Sequence, residues 1–271
     1  RALADSRLYT TQAFGCLGPA VGAEVVTFPR RFEDGWRIDA EALRRAVTPT
    51  TDLIVLTDLH NPSSARLHDE DLDLVLDLAR DADALVLVDE VYLDLDPLCR
   101  PTAAHRDPRI LVTSSLTKAH GLGDLRAGWI LGDPALIDTA DRWDDLLCSA
   151  LPLVALAQAT AWFPHADRQL EGVRARCKAL TARVDAWVTS RDDVTWLAPP
   201  GGFTGFLRLG SPDRPLDGDL VAARAWDDAG VRVVPGSFFG PRSWIRVSYH
   251  LPDDDLDEAL EGLGRVLDAL R

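Results

Sequence analysis

Lys118 stands in the segment TSSLTKAHGLGDLRAGW and is one of only two lysines among 29 basic residues, the other being Lys178. A deprotonated lysine amine can attack an aldehyde and form a Schiff base. A guanidinium stays charged at ordinary pH and is a poor nucleophile, so arginine cannot replace lysine in that role. A lysine kept in so arginine-rich a chain is either a reactive amine or a solvated surface group. Ser115 precedes it by three residues and Arg126 follows it by eight, so a loop folded around Lys118 could present a hydroxyl and a guanidinium to one phosphate. Asp89 ends the apolar run ALVLVD, with Glu90 and Tyr92 just beyond, and Asn61 lies in LHNPSS after another such run. A buried aspartate without a partner is costly. Asp89 must therefore cap a helix, pair with a cation, or hold a cationic ligand such as a protonated pyridine. Arg246, in WIRVSYH, can grip a carboxylate in fork geometry or form a structural ion pair on a strand.

The elements that would carry these residues can be read from the pattern. Residues 52–57, 84–89 and 110–114 are short, β-branched-rich apolar runs, the signature of strands buried on both faces, and they point to a parallel sheet. Between the first two, the segment from Asp69 puts Leu72, Val75, Leu76 and Ala79 on one helical face behind an acidic first turn. Strand, helix, strand in this order predicts an α/β layered domain with ligands at the carboxyl ends of the strands. From about Pro134 to Arg191 the chain reads as helical. VTWL, FTGFLRL, VRVVPG and WIRVSYH then suggest strands around a helix at DLVAARAWDDAG. Leu256, Leu260, Leu263, Leu267 and Leu270 mark a closing amphipathic helix whose stripe is core packing. The expected division is a large domain over 1–165 and a smaller C-terminal α+β domain, with the connecting helix, over 166–271.

Composition narrows the function classes. With 271 residues and 46% hydrophobic content the chain can bury a full core. A net charge of -14 opposes a nucleic-acid surface, which needs clustered Lys and Arg, and favours a small-molecule partner. No apolar run is long enough for a membrane span and the first residues lack a signal-peptide stretch, so no membrane association and a cytoplasmic location are expected. The cysteines at 16, 99, 148 and 177 are too widely spaced for a CxxC metal or redox motif and read as ordinary buried thiols. No metal site is expected. The chain contains no methionine, which points to a segment upstream of residue 1.

HNPSS, then DEVY, then SSLTK with an arginine eight positions on, then the late arginine of WIRVSYH, resemble in order and spacing the signature of class I/II aminotransferases, enzymes of fold-type I. The resemblance runs from about Tyr9 to the C-terminus. It implies an aminotransferase-like three-layer α/β domain with a mostly parallel sheet and a smaller α+β domain. It also implies pyridoxal 5'-phosphate as cofactor, an amino acid and a 2-oxo acid as substrates, and a homodimer. By the same resemblance Lys118 carries the cofactor and later moves the proton at Cα, and Asp89 pairs with the pyridinium nitrogen. Asn61 and Tyr92 bond the ring oxygen, Ser115 and Arg126 hold the phosphate, and Arg246 takes the substrate α-carboxylate. Tyr9 stands where the family has a ring over the pyridine face, though its usual preceding proline is missing. VPGSFFG resembles the segment that closes over the substrate, so Phe238 or Phe239 could line the side-chain pocket or belong to the core.

Some features depart from the pattern. The family's first helix, whose glycine-rich start feeds amides to the phosphate, is not in the sequence, and without it cofactor affinity is expected to suffer. Asp58 replaces a common asparagine and brings a negative charge near the site. Ser64 replaces a glycine in a tight turn. Three other readings stay open: a decarboxylase or lyase of the same fold, the effector domain of a transcription regulator, and a non-catalytic remnant. Retention of Lys118 speaks against the last.

Overall fold

A computed structural model describes residues 2–4, 18–148 and 152–271. Strands β1 (Ala2–Ala4) and β2 (Val25–Thr27) are followed by a small antiparallel hairpin, β3 (Arg30–Arg31) and β4 (Arg37–Ile38), and by helix α1 (Ala40–Ala46). Then come β5 (Leu53–Thr57), α2 (Asp69–Ala82), β6 (Leu85–Asp89), β7 (Ile110–Ser115) and β8 (Gly128–Leu131). These strands form one sheet of order β2-β1-β5-β6-β7-β8, parallel throughout except for the antiparallel pair β7–β8. The three apolar runs of the sequence thus become adjacent central strands. Between β5 and β6, α2 buries the expected face, Leu72, Val75, Leu76 and Ala79, against the sheet. Each such leucine or valine contributes about 1.5–3 kcal/mol relative to exposure.

Helices α3 (Pro134–Leu147), α4 (Leu153–Trp162) and α5 (Ala166–Thr189) follow. Helix α5 serves both halves of the molecule. Its Leu170 and Cys177 pack with Leu59, Leu95 and Ala119 from the large sheet's side, whereas Leu180, Val184 and Val188 enter the C-terminal core. That core is built on β9 (Val194–Thr195), β10 (Thr204–Ser211), β11 (Arg214–Pro215), β12 (Val234–Pro235) and β13 (Trp244–Ser248), with α6 (Gly218–Ala229) and α7 (Asp253–Ala269) against them. β10 and β13 pair antiparallel from Thr204↔Ser248 to Arg208↔Trp244. Alternation along these two strands sends Leu207, Leu209, Ile245 and Val247 into the core beside the leucine stripe of α7. It leaves Phe206, Trp244 and Arg246 on the opposite face, where Phe206 and Trp244 meet the β3–β4 hairpin.

The observed elements differ from the reading of the sequence in places. β1 and β2, three residues each, are too short to show a period. VRVVPG yields only Val234–Pro235 as strand. Cys177 is buried as expected, but Cys99 and Cys148 are exposed, and Cys16 lies outside the described residues. Helix α3 buries no side chain, leaving Trp143, Leu146 and Leu147 open on its surface. Among the described residues no helix is long and apolar enough to cross a membrane, and no group of His, Cys, Asp and Glu is placed to hold a metal ion.

Candidate active site

Because β5, β6 and β7 are parallel neighbours, their carboxyl ends and the loops beyond them share one edge of the sheet. Asp89, the last residue of β6, is level with Thr57 on one side and Thr113 on the other. Asn61 lies four residues past the end of β5, Ser115 ends β7, and Lys118 lies three residues beyond. Asp89 Oδ1 accepts from the Val91 amide at 3.2 Å and from the Thr113 hydroxyl at 3.5 Å. Tyr92 follows on the turn that leads into residues 93–95, and its ring meets Phe203 edge-on at 5.7 Å. Burial pushes the Tyr92 phenol above its ordinary range; nearby Arg246 opposes this and Asp89 adds to it. The phenol is therefore a neutral donor at physiological pH, within electrostatic reach of both charges.

Arg246 comes from β13 of the C-terminal sheet. Its Nη1 donates to Asn61 Oδ1 at 3.1 Å, and its guanidinium lies over the Phe239 ring at 5.4 Å. Of the two phenylalanines of VPGSFFG, Phe239 is buried beneath the arginine and Phe238 is exposed. Asn61, Asp89, Tyr92 and Arg246 are thus one cluster. Lys118, exposed, is carried by a loop whose backbone is tied at Gly121 N to Lys118 O and at Leu122 N to Leu116 O. Two residues on, His120 Nε2 meets Asp94 Oδ2 at 3.0 Å while Trp162 Nε1 donates to His120 Nδ1 at 3.1 Å. These two contacts anchor the lysine loop to the turn after Tyr92. Ser115 ends β7 and Arg126 lies two residues before β8, on the two arms of one antiparallel connection where Leu116 N donates to Ala127 O. Gly128 allows this close pairing, because a Cβ there would lie 2.9 Å from Ser114 O. Arg126, exposed and in the left-handed region at φ 52°, donates Nη1 to Gly123 O at 3.4 Å. Tyr9 lies outside the described residues.

Under the strand ends runs a layer of charge that the sequence did not reveal. Asp58, expected to add a negative charge to the site, is instead buried against Arg100 at 2.9 Å and accepts from the Leu67 amide. Burial pushes its carboxyl above the usual carboxylate range and the Arg100 contact opposes that rise. Arg100 also holds Asp96 at 2.6 Å, and Asp96 receives Arg66 as well. Glu90, the residue after β6, accepts from the Ala103 amide at 2.7 Å, and burial pushes it up to about 7. Arg and Asp are so frequent in the chain that no spacing singled these out. Above the layer, Ser64 takes the left-handed conformation, φ 54°, that glycine ordinarily supplies, and its hydroxyl meets Thr204 Oγ1 at 2.7 Å. Gly202, at φ 79°, makes room for that contact: a Cβ there would fall 2.9 Å from Ser64 Oγ.

The family model described as aminotransferase class I and II matches residues 19–263. The chain belongs to the class I and II aminotransferase family. Among its relatives are capreomycidine synthase of Streptomyces vinaceus, 30% identical over 93% of this chain, and the arginine–pyruvate transaminase of Pseudomonas aeruginosa, 28% identical over 89%. The aminotransferase-family chain spans 64% of the length of the first and 62% of the second. A crystal structure of a PLP-dependent aminotransferase from Streptococcus suis superposes with a TM-score of 0.92, at 23% identity, covering 100% of this chain and 71% of that one. The likeness establishes a shared fold. The family match bears out the resemblance to the class I/II aminotransferases.

Proposed function

We propose that this chain binds pyridoxal 5'-phosphate and moves an amino group between an amino acid and a 2-oxo acid. The observation that carries the reading is the meeting of Asn61, Asp89, Tyr92 and Arg246 at the strand end next to the Lys118 loop. These groups fit the cofactor. A carboxylate at the end of β6 suits a protonated ring nitrogen. A neutral phenol and an amide suit the ring oxygen, and the Ser115 hydroxyl with the Arg126 guanidinium suits a phosphate. When bound, the cofactor supplies an electron sink for the charge released at Cα. The protein supplies the rest. Lys118 holds the cofactor through its amine and then takes and returns the proton at Cα, a role that needs a nucleophile and base of modest basicity. Asp89 keeps the ring nitrogen protonated. Arg246 takes the α-carboxylate in a two-pronged pair, which fixes the face of Cα presented to Lys118.

In this reading residues 1–165 form the cofactor-binding domain and 166–271 the small domain, Tyr9 covers the ring face, and the protein acts as a cytoplasmic homodimer. A relative named as a synthase shares the family, so the product has to be identified along with turnover. The test is to supply the protein with pyridoxal phosphate, single amino acids and 2-oxoglutarate, and to analyse the products. Glutamate and the donor's 2-oxo acid, formed together and lost in Asp89→Asn by at least about a hundredfold, support transamination. Carbon dioxide or an eliminated group without glutamate would replace it with a decarboxylase or lyase.

A further inference from the structure

Trp36 occupies a place that its sequence does not explain. It follows Gly35 at the tip of the β3–β4 hairpin and lies in the left-handed region, φ 64°, which a bulky side chain ordinarily avoids. Yet its side chain is only 8% exposed. The ring is wedged between the two domains. On one side it meets His60 at 6.1 Å, the residue immediately before Asn61. On the other it meets Phe206 at 5.8 Å and Trp244 at 5.4 Å. Phe206 is the cross-strand partner of Arg246, and Trp244 precedes Arg246 by two residues on the same face of β13. Phe206 also contacts Phe239, the ring beneath the Arg246 guanidinium. His60 is held by a 2.7 Å hydrogen bond to Ser63, its buried Nε2 has no hydrogen-bond partner among the described residues, and its ring packs against Trp36.

From these contacts we propose that Trp36 is a positioning residue for the carboxylate-binding arm: its ring sets the separation between Asn61 on the large domain and Arg246 on the small one. The inference rests on the reading of Arg246 as the carboxylate ligand. A backbone held in a disfavoured conformation persists where its surroundings over-determine it, and here they do so with a ring that touches both arms of the site. Phe32, edge-on to Trp36 at 5.6 Å and to Trp244 at 5.1 Å, and Arg208, whose guanidinium lies over Phe32 at 4.9 Å, brace the wedge from outside. A smaller side chain at position 36 lets β13 settle towards the hairpin and shifts Arg246 relative to Asn61. Asp89 and Lys118, on other strand ends, stay in place.

The test compares wild type, Trp36→Leu, Trp36→Phe and Arg246→Gln. The readouts are the calorimetric Kd for succinate, a carboxylate without an amino group, together with KM and kcat for the amino donor and the melting temperature. Trp36→Leu is expected to raise KM and the succinate Kd at least tenfold with kcat changed less than threefold, and Trp36→Phe, which keeps an aromatic plane, to recover most of the loss. If Arg246→Gln weakens succinate but Trp36→Leu alters only the melting temperature, or lowers kcat and leaves KM and Kd unchanged, the wedge is overturned and the reading of Arg246 stands. If Arg246→Gln leaves succinate binding unchanged, or wild type binds no succinate, both fall.

Discussion

Glu90, just past β6 of the large sheet, and Asp193, beside the C-terminal sheet, are both buried carboxylates near arginines, and they reach opposite states. Burial lifts Glu90 to about 7, because its neighbour Arg100 is already engaged by Asp58 and Asp96 and Asp58 adds repulsion. Burial also acts on Asp193, but there the hydrogen bonds from Arg191 and Arg271 outweigh it and hold the carboxyl at about 2. The C-terminal cluster thus gives Asp193 two guanidiniums of its own, while Glu90, just past the end of β6, accepts from the Ala103 amide and its neighbour Arg100 is bonded to Asp58 and Asp96. Edges of sheets that present polar groups to a ligand cannot also satisfy each of them internally, and part of the fold's stability is given up at that edge.

The strongest way to probe this contrast is to remove an acid from each cluster. Asp96 is fully buried and accepts from both Arg66 and Arg100. Asp96→Ala leaves two guanidiniums without it and is expected to cost about 3–5 kcal/mol in denaturant unfolding. Asp193→Ala is expected to cost about 2 kcal/mol, since Asp268 and Asp192 remain to pair Arg191 and Arg271. Equal losses would remove the distinction between the two clusters.

The next effect is the dependence of stability on pH, where the two acids have opposite signs. Glu90 is raised in the fold from an ordinary 4.5, so its favourable contribution is complete below about 4.5 and is lost as pH rises through about 7. Asp193 is depressed from 3.8, so its contribution is present above that value and is lost as pH falls towards 2. Glu90→Gln is expected to flatten the limb between pH 4.5 and 7, a gain on the order of 2–3 kcal/mol at pH 8. Asp193→Asn is expected to flatten only the acid limb. Melting curves across pH for the two variants check both signs, and a neutral limb unchanged in Glu90→Gln would refute the assignment. The smallest effect is local. Ser64→Gly relieves the left-handed strain but loses the hydroxyl contact with Thr204, and a change within about 1 kcal/mol is expected.

Much of the site edge was legible in the sequence for a physical reason: strands buried on both faces read as apolar runs, so the polar residue that ends each run announces itself. Asp89 and Asn61 were found that way, and Lys118 by its rarity among arginines. The Asn61–Arg246 contact, across 185 residues, is beyond any local pattern. No local pattern marks Trp36, because its conformation and its three-sided contact exist only once the whole chain is folded. Phe239 could not be told from Phe238 until the turn placed one under the arginine and the other in solvent. The Arg100 layer stayed hidden in a background of abundant Arg and Asp. Tyr9 keeps only its resemblance-based role.

The central claim is that Lys118 is the residue that carries the cofactor, and the chain offers a clean internal control because Lys178 is its only other lysine. The direct measurement is to load the protein with pyridoxal phosphate, reduce it with borohydride, and map the modified lysine by mass spectrometry. Label confined to the peptide containing Lys118, and absent from a Lys118→Ala variant, is the expected result. Label on Lys178, or equal label in the variant, would contradict it.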